Sequence, residues 1–232
     1  FLHANIDDDQ VLKSINYDVV INFAAETHVT RSINDSRNFI INDMLATDTL
    51  LKSSIYKKKL KLFIHISTSE VYGTCDGNKK MDEEHKLNPL SPYAAAKCGG
   101  DRLVYSYGHT YGLPFVILRP FNNYGPGLKL TDGRAMPDFC NNVLSNKDII
   151  MLSDGSPTRT FCYVADAVIG YLKVLTIGSN GESYNIGTEN PEISMRQLAE
   201  MVIECSKVLY GYEGQLVFKK SEDRDYLTDN PN

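Results

Sequence analysis

The sequence has few cysteines, and their spacing suits neither cross-links nor a metal site. The five cysteines lie far apart between Cys75 and Cys205, and no two of them form a Cys-x-x-Cys pair. An odd, scattered set of this kind argues against a disulfide framework and against a structural zinc site. Because such usage is typical of a reducing compartment, we expect a cytoplasmic protein.

Long apolar runs and excess positive charge are also absent. No apolar run reaches the length of a membrane-spanning helix, and the residues from Phe1 on lack the pattern of a signal peptide. The formal net charge is -5, which gives no reason to expect a nucleic-acid partner. We therefore expect no membrane and no nucleic acid among the partners. With 42% hydrophobic residues, the 232-residue chain can bury the core of one domain, or of one large and one small domain.

Short apolar segments rich in β-branched residues alternate with longer segments of helical spacing. The strand-like segments are residues 18–23, 62–66 and 113–118, and the long helical ones are residues 35–56 and 92–111. This alternation predicts an α/β fold with a Rossmann-type, doubly wound parallel sheet. The strands read as buried on both faces.

The pattern changes at about residue 122, where loop signals begin. A short helix at 137–144 and a strand at 149–152 follow, and later segments predict a helix at 164–175, a strand at 183–186 and a helix at 194–209. We assign residues 1–121 to the sheet domain. Residues 122–232 are assigned mainly to a smaller substrate-binding part, with some elements returning to the sheet.

Polar clusters follow three of the predicted strands, at residues 24–28, 67–70 and 120–123. Parallel sheets bind ligands outside the carboxyl ends of their strands. One such cluster could be an ordinary helix cap. Three of them after consecutive strands indicate a binding site.

The most informative motif pairs Tyr93 with Lys97, downstream of Thr68 and Glu70. Residues four apart on a helix share a face, so the ammonium can stabilise the phenolate and let it act as a base near neutral pH. Alone, the pair also fits an interfacial tyrosine with a surface lysine. Together with Thr68 it predicts redox chemistry on an alcohol.

These motifs occur with others in an ordered set that covers nearly all of the chain. The set comprises residues 22–29, 67–73, 93–97, 119–126, 158–164 and 184–187. In this set the chain resembles the extended short-chain dehydrogenases of the nucleotide-sugar epimerase, dehydratase and decarboxylase group. The resemblance implies an NAD-binding domain in residues 1–121 and a nucleotide-sugar substrate.

The resemblance also implies a 4-keto sugar intermediate and a role for each residue of the motif. Tyr93 would take the proton of the sugar's 4-hydroxyl as hydride passes to NAD, and Lys97 would hold the nicotinamide ribose. Thr68 would hydrogen-bond the reacting oxygen, and Glu70 would act as acid or base in the second stage.

Further residues match family positions that contact the two ligands. Toward the cofactor these are Ala24, Ala25 and Asn42, with Tyr93 and Lys97; toward the nucleotide sugar they are Ser69, Asn123, Arg134 and Arg159. An arginine guanidinium suits the diphosphate of such a substrate. The family also pairs two helices across a dimer, which correspond to residues 35–56 and 92–111, so we expect a homodimer.

The chain departs from the family in one large feature. It contains no Gly-x-x-Gly-x-x-Gly loop, the element that holds the cofactor pyrophosphate. Residues 1–8 resemble the segment after the family's third strand. We expect that roughly the first 50 to 60 residues of the usual domain are not part of this sequence.

The choice of reaction depends on Ser69. Typical dTDP-glucose 4,6-dehydratases carry aspartate there to protonate the leaving hydroxyl, and serine is a poor general acid. Thr68-Ser69-Glu70 is similar to the corresponding segment of UDP-glucuronate decarboxylases. If this chain has that activity, Arg159 would contact the uronate carboxylate. Residues 26–29 and 93–97 look more like dehydratases, and GDP-mannose 4,6-dehydratases also tolerate the serine.

The sequence thus favours a UDP-glucuronate decarboxylase. A 4,6-dehydratase or 4-epimerase acting on a nucleotide hexose stays open. A non-catalytic nucleotide-sugar-binding protein is a further alternative.

Overall fold

A computed structural model describes residues 1–75 and 80–219, and it divides into two compact units. The first unit comprises Phe1–Phe121 and Val168–Ile186, and the second comprises Asn122–Ala167 and the described residues from Gly187 on. The assignment of the two parts of the chain to cofactor and substrate stays a prediction.

A parallel four-stranded sheet forms the centre of the first unit. Its order is β1 (Val19–Asn22), β2 (Leu62–Ile66), β3 (Phe115–Pro120) and β7 (Ser183–Ile186). The register aligns Asn22, His65, Ile117 and Ser183 in one row across the sheet. This parallel sheet in an α/β chain confirms the predicted fold class.

The strand β1 differs from the sequence prediction in its burial. It lies at an edge of this sheet, and Val19 and Ile21 are 38% and 44% exposed. The prediction that this strand is buried on both faces is therefore wrong in this structure, because Val19 and Ile21 share one face of the strand and that face is exposed. The strands β2 and β3 are buried as predicted.

Helices connect and cover these strands. They are α1 (Asp9–Ser14), α2 (Val29–Asn34), α3 (Ser36–Phe39), α4 (Ala46–Ile55), α5 (Pro92–Tyr111) and the part of α7 (Val164–Ile177) from Val168 on. A 3-10 helix (Ser69–Tyr72) follows β2. The core between sheet and helices contains Leu51, Phe63, Val104 and Ile117, each fully buried or nearly so. Burying such side chains contributes about 1.5–3 kcal/mol each.

The predicted helix at 35–56 is interrupted by a π-helix (Ile40–Leu45) between α3 and α4. A π turn accommodates one residue more than an α turn, so it shifts which side chains face inward. In this helix Asp43 is buried, whereas its neighbours Asn42 and Leu45 are exposed.

The described residues of the second unit form short strands, two complete helices and the start of a third. Its elements are β4 (Asn122–Tyr124), α6 (Ala135–Leu144), β5 (Ile149–Met151), β6 (Thr158–Tyr163), the first residues of α7, β8 (Glu192–Ser194), α8 (Met195–Tyr210) and β9 (Leu216–Phe218). The strands pair in the order β4-β6-β8, and β5 pairs with β9. Phe139, Ile149, Leu198 and Tyr212 lie in its core.

Helix α8 begins at a capping box, in which the Ser194 hydroxyl accepts from the Gln197 amide and the Gln197 side chain accepts from the Ser194 amide. Within the described ranges, no helix combines the length and the apolar character needed to cross a membrane.

Candidate active site

Lys97 connects helix α5 to the carboxyl end of β2. Its Nζ donates a hydrogen bond of 2.6 Å to the carbonyl oxygen of Ile66, the last residue of that strand. The side chain is buried, with 3% of its surface exposed. This bond fixes the face of α5 that carries Lys97 against the end of the sheet.

Thr68 follows Ile66 by two residues and caps the 3-10 helix. Its Oγ1 accepts a hydrogen bond of 3.3 Å from the backbone N–H of Glu70, and the residue is 7% exposed. The 3-10 helix packs against α5. The polar cluster after β2 and the face of α5 with the lysine therefore lie close together. Ser69 and Glu70 are half-buried in the same helix.

Tyr93 lies one turn before Lys97 on the same helix and is 8% exposed. Its ring meets Phe39 edge to face, with ring centres 6.2 Å apart, and packs with Ala96. The helix position is set locally, because the Ser91 hydroxyl accepts from the Ala94 amide at 3.1 Å and Pro92 occupies the first turn.

Burial controls the charge of Lys97. Removal from water lowers the pKa of its ammonium to about 8, and the negative charges of Asp43 and Asp101 oppose that effect. Asp101 is already paired, since its Oδ2 accepts a 3.0 Å hydrogen bond from Arg119 Nε. That pairing holds the pKa of Asp101 below its usual range against the opposing effect of burial.

Asp43 is a residue of this site that the sequence did not single out. It is 1% exposed, and its Oδ1 accepts a 2.7 Å hydrogen bond from the backbone N–H of Glu26. Burial raises the pKa of this carboxyl to about 6, and the charge of Lys97 opposes the rise. The signal that could have found it is an acidic residue close to the apolar Ile41 and Met44, but only the π-helix turns it inward.

Asn42, which was predicted to contact the cofactor, lies on the outside of the π-helix. Its side chain is exposed, and its Nδ2 donates to the Asn38 carbonyl oxygen at 2.9 Å. Its contact with the cofactor stays a prediction. The adjacent Asp43 is instead the residue of the π-helix within electrostatic reach of Lys97.

The small residues Ala24 and Ala25 follow β1 in a loop whose backbone is held from two sides. Asn22 Oδ1 accepts from the Ala24 amide at 3.2 Å, and the Asp43 carboxylate accepts from the Glu26 amide. Ala24 is exposed and Ala25 half-buried, and their side chains are small, so a dinucleotide can come close to the backbone of this loop. With the buried lysine, these residues fit the ribose end of NAD; the chain has no glycine-rich loop for the pyrophosphate.

The residues predicted to bind the nucleotide sugar lie in the second unit. Asn123 stands on β4 opposite Cys162, and Arg134 precedes α6 and pairs with Asp132. Arg159 stands on β6, where its Nη1 donates to the Thr158 carbonyl oxygen at 2.8 Å. Their contact with a substrate stays a prediction.

The described residues therefore combine a phenol, a buried ammonium, a hydroxyl and a carboxylate at the end of a parallel sheet. Such a group can hydrogen-bond a sugar hydroxyl and accept its proton. Its carboxylate can exchange a second proton with a neighbouring carbon. Of the described His, Cys, Asp and Glu side chains, no three are grouped so as to hold a metal ion.

Comparison with known proteins places this group of residues in a family. The sequence model described as the NAD dependent epimerase/dehydratase family matches residues 1–187. A curated relative, the dTDP-D-glucose 4,6-dehydratase of Dictyostelium discoideum, is 38% identical over 220 residues. That match covers 89% of this chain, which spans 50% of the relative's length.

Solved structures agree with this match. A crystal structure of DesIV, a dTDP-glucose 4,6-dehydratase from Streptomyces venezuelae with NAD and TYD bound, aligns with a TM-score of 0.84 at 32% identity. The alignment covers 94% of this chain and 67% of that one. A UDP-glucuronic acid 4-epimerase from Bacillus cereus, solved with UDP-glucuronic acid and NAD, aligns with a TM-score of 0.83 at 32% identity, over 95% of this chain and 68% of its own. The chain belongs to the NAD dependent epimerase/dehydratase family.

Proposed function

We propose that the protein is an NAD-dependent nucleotide-sugar 4,6-dehydratase that works through a 4-keto sugar. The observation that carries this proposal is the hydrogen bond from Lys97 to Ile66, which sets the tyrosine and lysine of α5 against Thr68 and Glu70. Relatives with dehydratase names support dehydration over the decarboxylation that Ser69 favours in the sequence.

In this proposal the protein's residues handle two protons in turn. Tyr93 takes the proton of the 4-hydroxyl, assisted by the charge of Lys97, while Thr68 hydrogen-bonds the oxygen that becomes the ketone. NAD, when bound, would supply the acceptor for the C4 hydride and the donor of the hydride at C6. The ketone acidifies the C5 proton, which Glu70 removes as the 6-hydroxyl leaves. The proton that Tyr93 took from the 4-hydroxyl completes the departing water, and Glu70 returns its proton to C5 once the hydride is on C6.

Lys97 suits this task because burial lowers the pKa of its ammonium toward neutral pH. With its pKa lowered to about 8, the ammonium stays charged at pH 7, yet it is poised to exchange protons with a neighbour. A fully solvated lysine would be charged but less effective, since water would screen its effect on the phenol.

A second candidate, UDP-glucuronate decarboxylase, is favoured by Ser69. Loss of carbon dioxide from a 4-keto uronate needs no acid for a leaving hydroxyl, so a serine at this position is sufficient. Arg159 is half-buried on β6 and would hold the uronate carboxylate.

The experiment that tests the function is product analysis by mass spectrometry. The protein expressed from its complete gene is incubated with NAD and, separately, with dTDP-glucose, UDP-glucose, GDP-mannose and UDP-glucuronate. We expect loss of water from a neutral hexose, abolished in Tyr93→Phe and retained in Tyr105→Phe, a tyrosine on the same helix.

The other outcomes each identify a different protein. Loss of carbon dioxide from UDP-glucuronate alone would establish the decarboxylase. A product of unchanged mass but altered sugar configuration would establish a 4-epimerase. Tight binding of a nucleotide sugar without turnover would identify a non-catalytic binding protein.

A further inference from the structure

We propose that Asp43 is a positioning residue that keeps Lys97 charged and holds the loop after β1, with one carboxylate oxygen for each task. The effect on turnover rests on the proposed function, whereas the effect on the lysine's charge does not. Asp43 is not part of any of the sequence motifs, so neither role could be assigned from them.

The geometry gives each oxygen of Asp43 a separate environment. Oδ1 accepts the 2.7 Å hydrogen bond from the Glu26 amide, which fixes the loop that contains Ala24 and Ala25. Oδ2 is buried and has no hydrogen-bond partner among residues 1–75 and 80–219. A buried carboxylate oxygen without a donor is costly unless a positive charge compensates it.

Lys97 is the positive charge that meets this need. It is buried, and two carboxylates raise its proton affinity, those of Asp43 and Asp101. Asp101 is committed to Arg119 through hydrogen bonds of 3.0 and 3.3 Å. Asp43 is therefore the carboxylate whose charge is left to balance the ammonium.

The other titratable groups around the pair do not take over this role. His65 faces the lysine from β2, but burial lowers its pKa to about 3, so the ring is neutral near pH 7. Glu26 faces Asp43 and raises its proton affinity through like charge. The Asp43–Lys97 interaction favours the ionised form of both groups at once, whereas the charge of Asp101 acts on Lys97 and the Glu26 N–H acts on Asp43.

A close backbone contact also fixes the distance between the helices that carry Asp43 and Lys97. The backbone oxygen of Asp43 accepts a 2.9 Å hydrogen bond from Thr47 Oγ1, and it approaches α5 at Gly100, where no side chain intervenes. The π-helix and α5 are thus packed backbone to backbone beside the lysine.

The direct test measures the titration of Lys97 by NMR of lysine labelled at Cε, with the signal assigned through Lys97→Met. In the cofactor-free chain we expect Asp43→Asn to lower the midpoint by about one pH unit or more, because the amide removes the charge and keeps the hydrogen bond to Glu26. Asp48→Asn, on α4, is the matched control and should leave the midpoint unchanged. An unchanged midpoint in Asp43→Asn would overturn the proposal.

A second measurement covers the case in which Asp43→Asn does not fold. In the unmodified chain, the Lys97 signal should show a second, smaller step as Asp43 titrates near pH 6. A single-step titration would contradict the coupling.

Turnover by the complete protein gives the third readout. Asp43→Asn should shift the alkaline limb of the kcat profile toward lower pH, and Asp43→Glu should restore much of it. If the chain shows the NMR shift but no enzyme activity, the proposed function fails while the role of Asp43 stands.

Discussion

The backbone oxygen of Asp43 lies 2.7 Å from the position that a Cβ on Gly100 would occupy. A methyl group at this position would contact backbone rather than a flexible side chain, so the π-helix and α5 could not stay as close. Nearby, His65 Nε2 lies 3.3 Å from the same position. The glycine therefore sets the separation of the two elements that carry Asp43 and Lys97.

We expect Gly100→Ala to destabilise the protein by about 2 kcal/mol or more, although alanine improves helix propensity by about 1 kcal/mol. The matched control is Gly99→Ala, whose Cβ would meet the Met44 side chain at 2.8 Å, which can move. Urea unfolding of the two variants gives the comparison. Equal stability of the two would show that the close backbone contact is unimportant.

His65→Leu should remove a pH-dependent cost of folding. Both ring nitrogens lack hydrogen-bond partners in the described part of the chain, and the folded-state pKa is lowered from 6.5 to about 3. The unfolded chain therefore binds more protons between these values, and stability falls as pH falls through that window.

Relative to the variant, the unmodified protein should lose about 2 kcal/mol between about pH 6.5 and pH 5. The free energies of unfolding of both proteins, measured across this range, give the difference. A pH-independent difference would mean that the ring titrates with the same pKa in the folded and the unfolded chain, which would contradict the lowered pKa.

Tyr93→Phe removes the proposed base and should lower kcat by about 10²–10⁴-fold. Binding of NAD, measured by calorimetry, should change little because the ring and Lys97 remain. Tyr105→Phe serves as the control for the loss of a phenol from α5. Retained turnover in Tyr93→Phe would assign the proton transfer to another group.

Ser69→Asp separates the two candidate reactions. If the protein is a dehydratase, an added carboxylic acid should raise kcat by about tenfold or more through protonation of the leaving hydroxyl. Ser69→Asn has a similar size without the acid and should give no gain. A loss of activity in both variants would argue that this position does not face a leaving group.

Leu45→Glu tests the expected homodimer. Leu45 is 53% exposed on the π-helix, within the segment predicted to pair across the dimer. A buried charge at such an interface should shift the mass measured by light scattering from dimer to monomer. Leu144→Glu, at a leucine on α6 that is 62% exposed, should leave the mass unchanged.

The sequence predicted the elements whose ends carry strong local signals. Helix α5 runs from Pro92 to Tyr111 as predicted, because Ser91 caps its start and Gly112 adopts the left-handed conformation at its end. The strand β7 was also predicted with its observed bounds, Ser183–Ile186. The polar cluster at Thr68 could be placed because it directly follows a continuous apolar strand.

The rest depended on tertiary contacts that no local pattern contains. The strands β4 and β8 have three residues each, too few for a period of two to stand out. The burial of Asp43 in place of Asn42 follows from the π-helix, and regular helical spacing cannot reveal that shift. For this reason the sequence predicted neither the sheet β4-β6-β8 nor the role of Asp43 beside Lys97.

The π-helix also limits which length changes this chain can tolerate. A deletion in a surface loop removes only local contacts, but a deletion of Met44 would let residues 40–45 close as an ordinary α-helix. The carboxyl of Asp43 would then turn by about 100° around the axis relative to α4. One lost codon at this point would alter the electrostatics of the site although every residue that contacts substrate in the proposed reaction is still encoded.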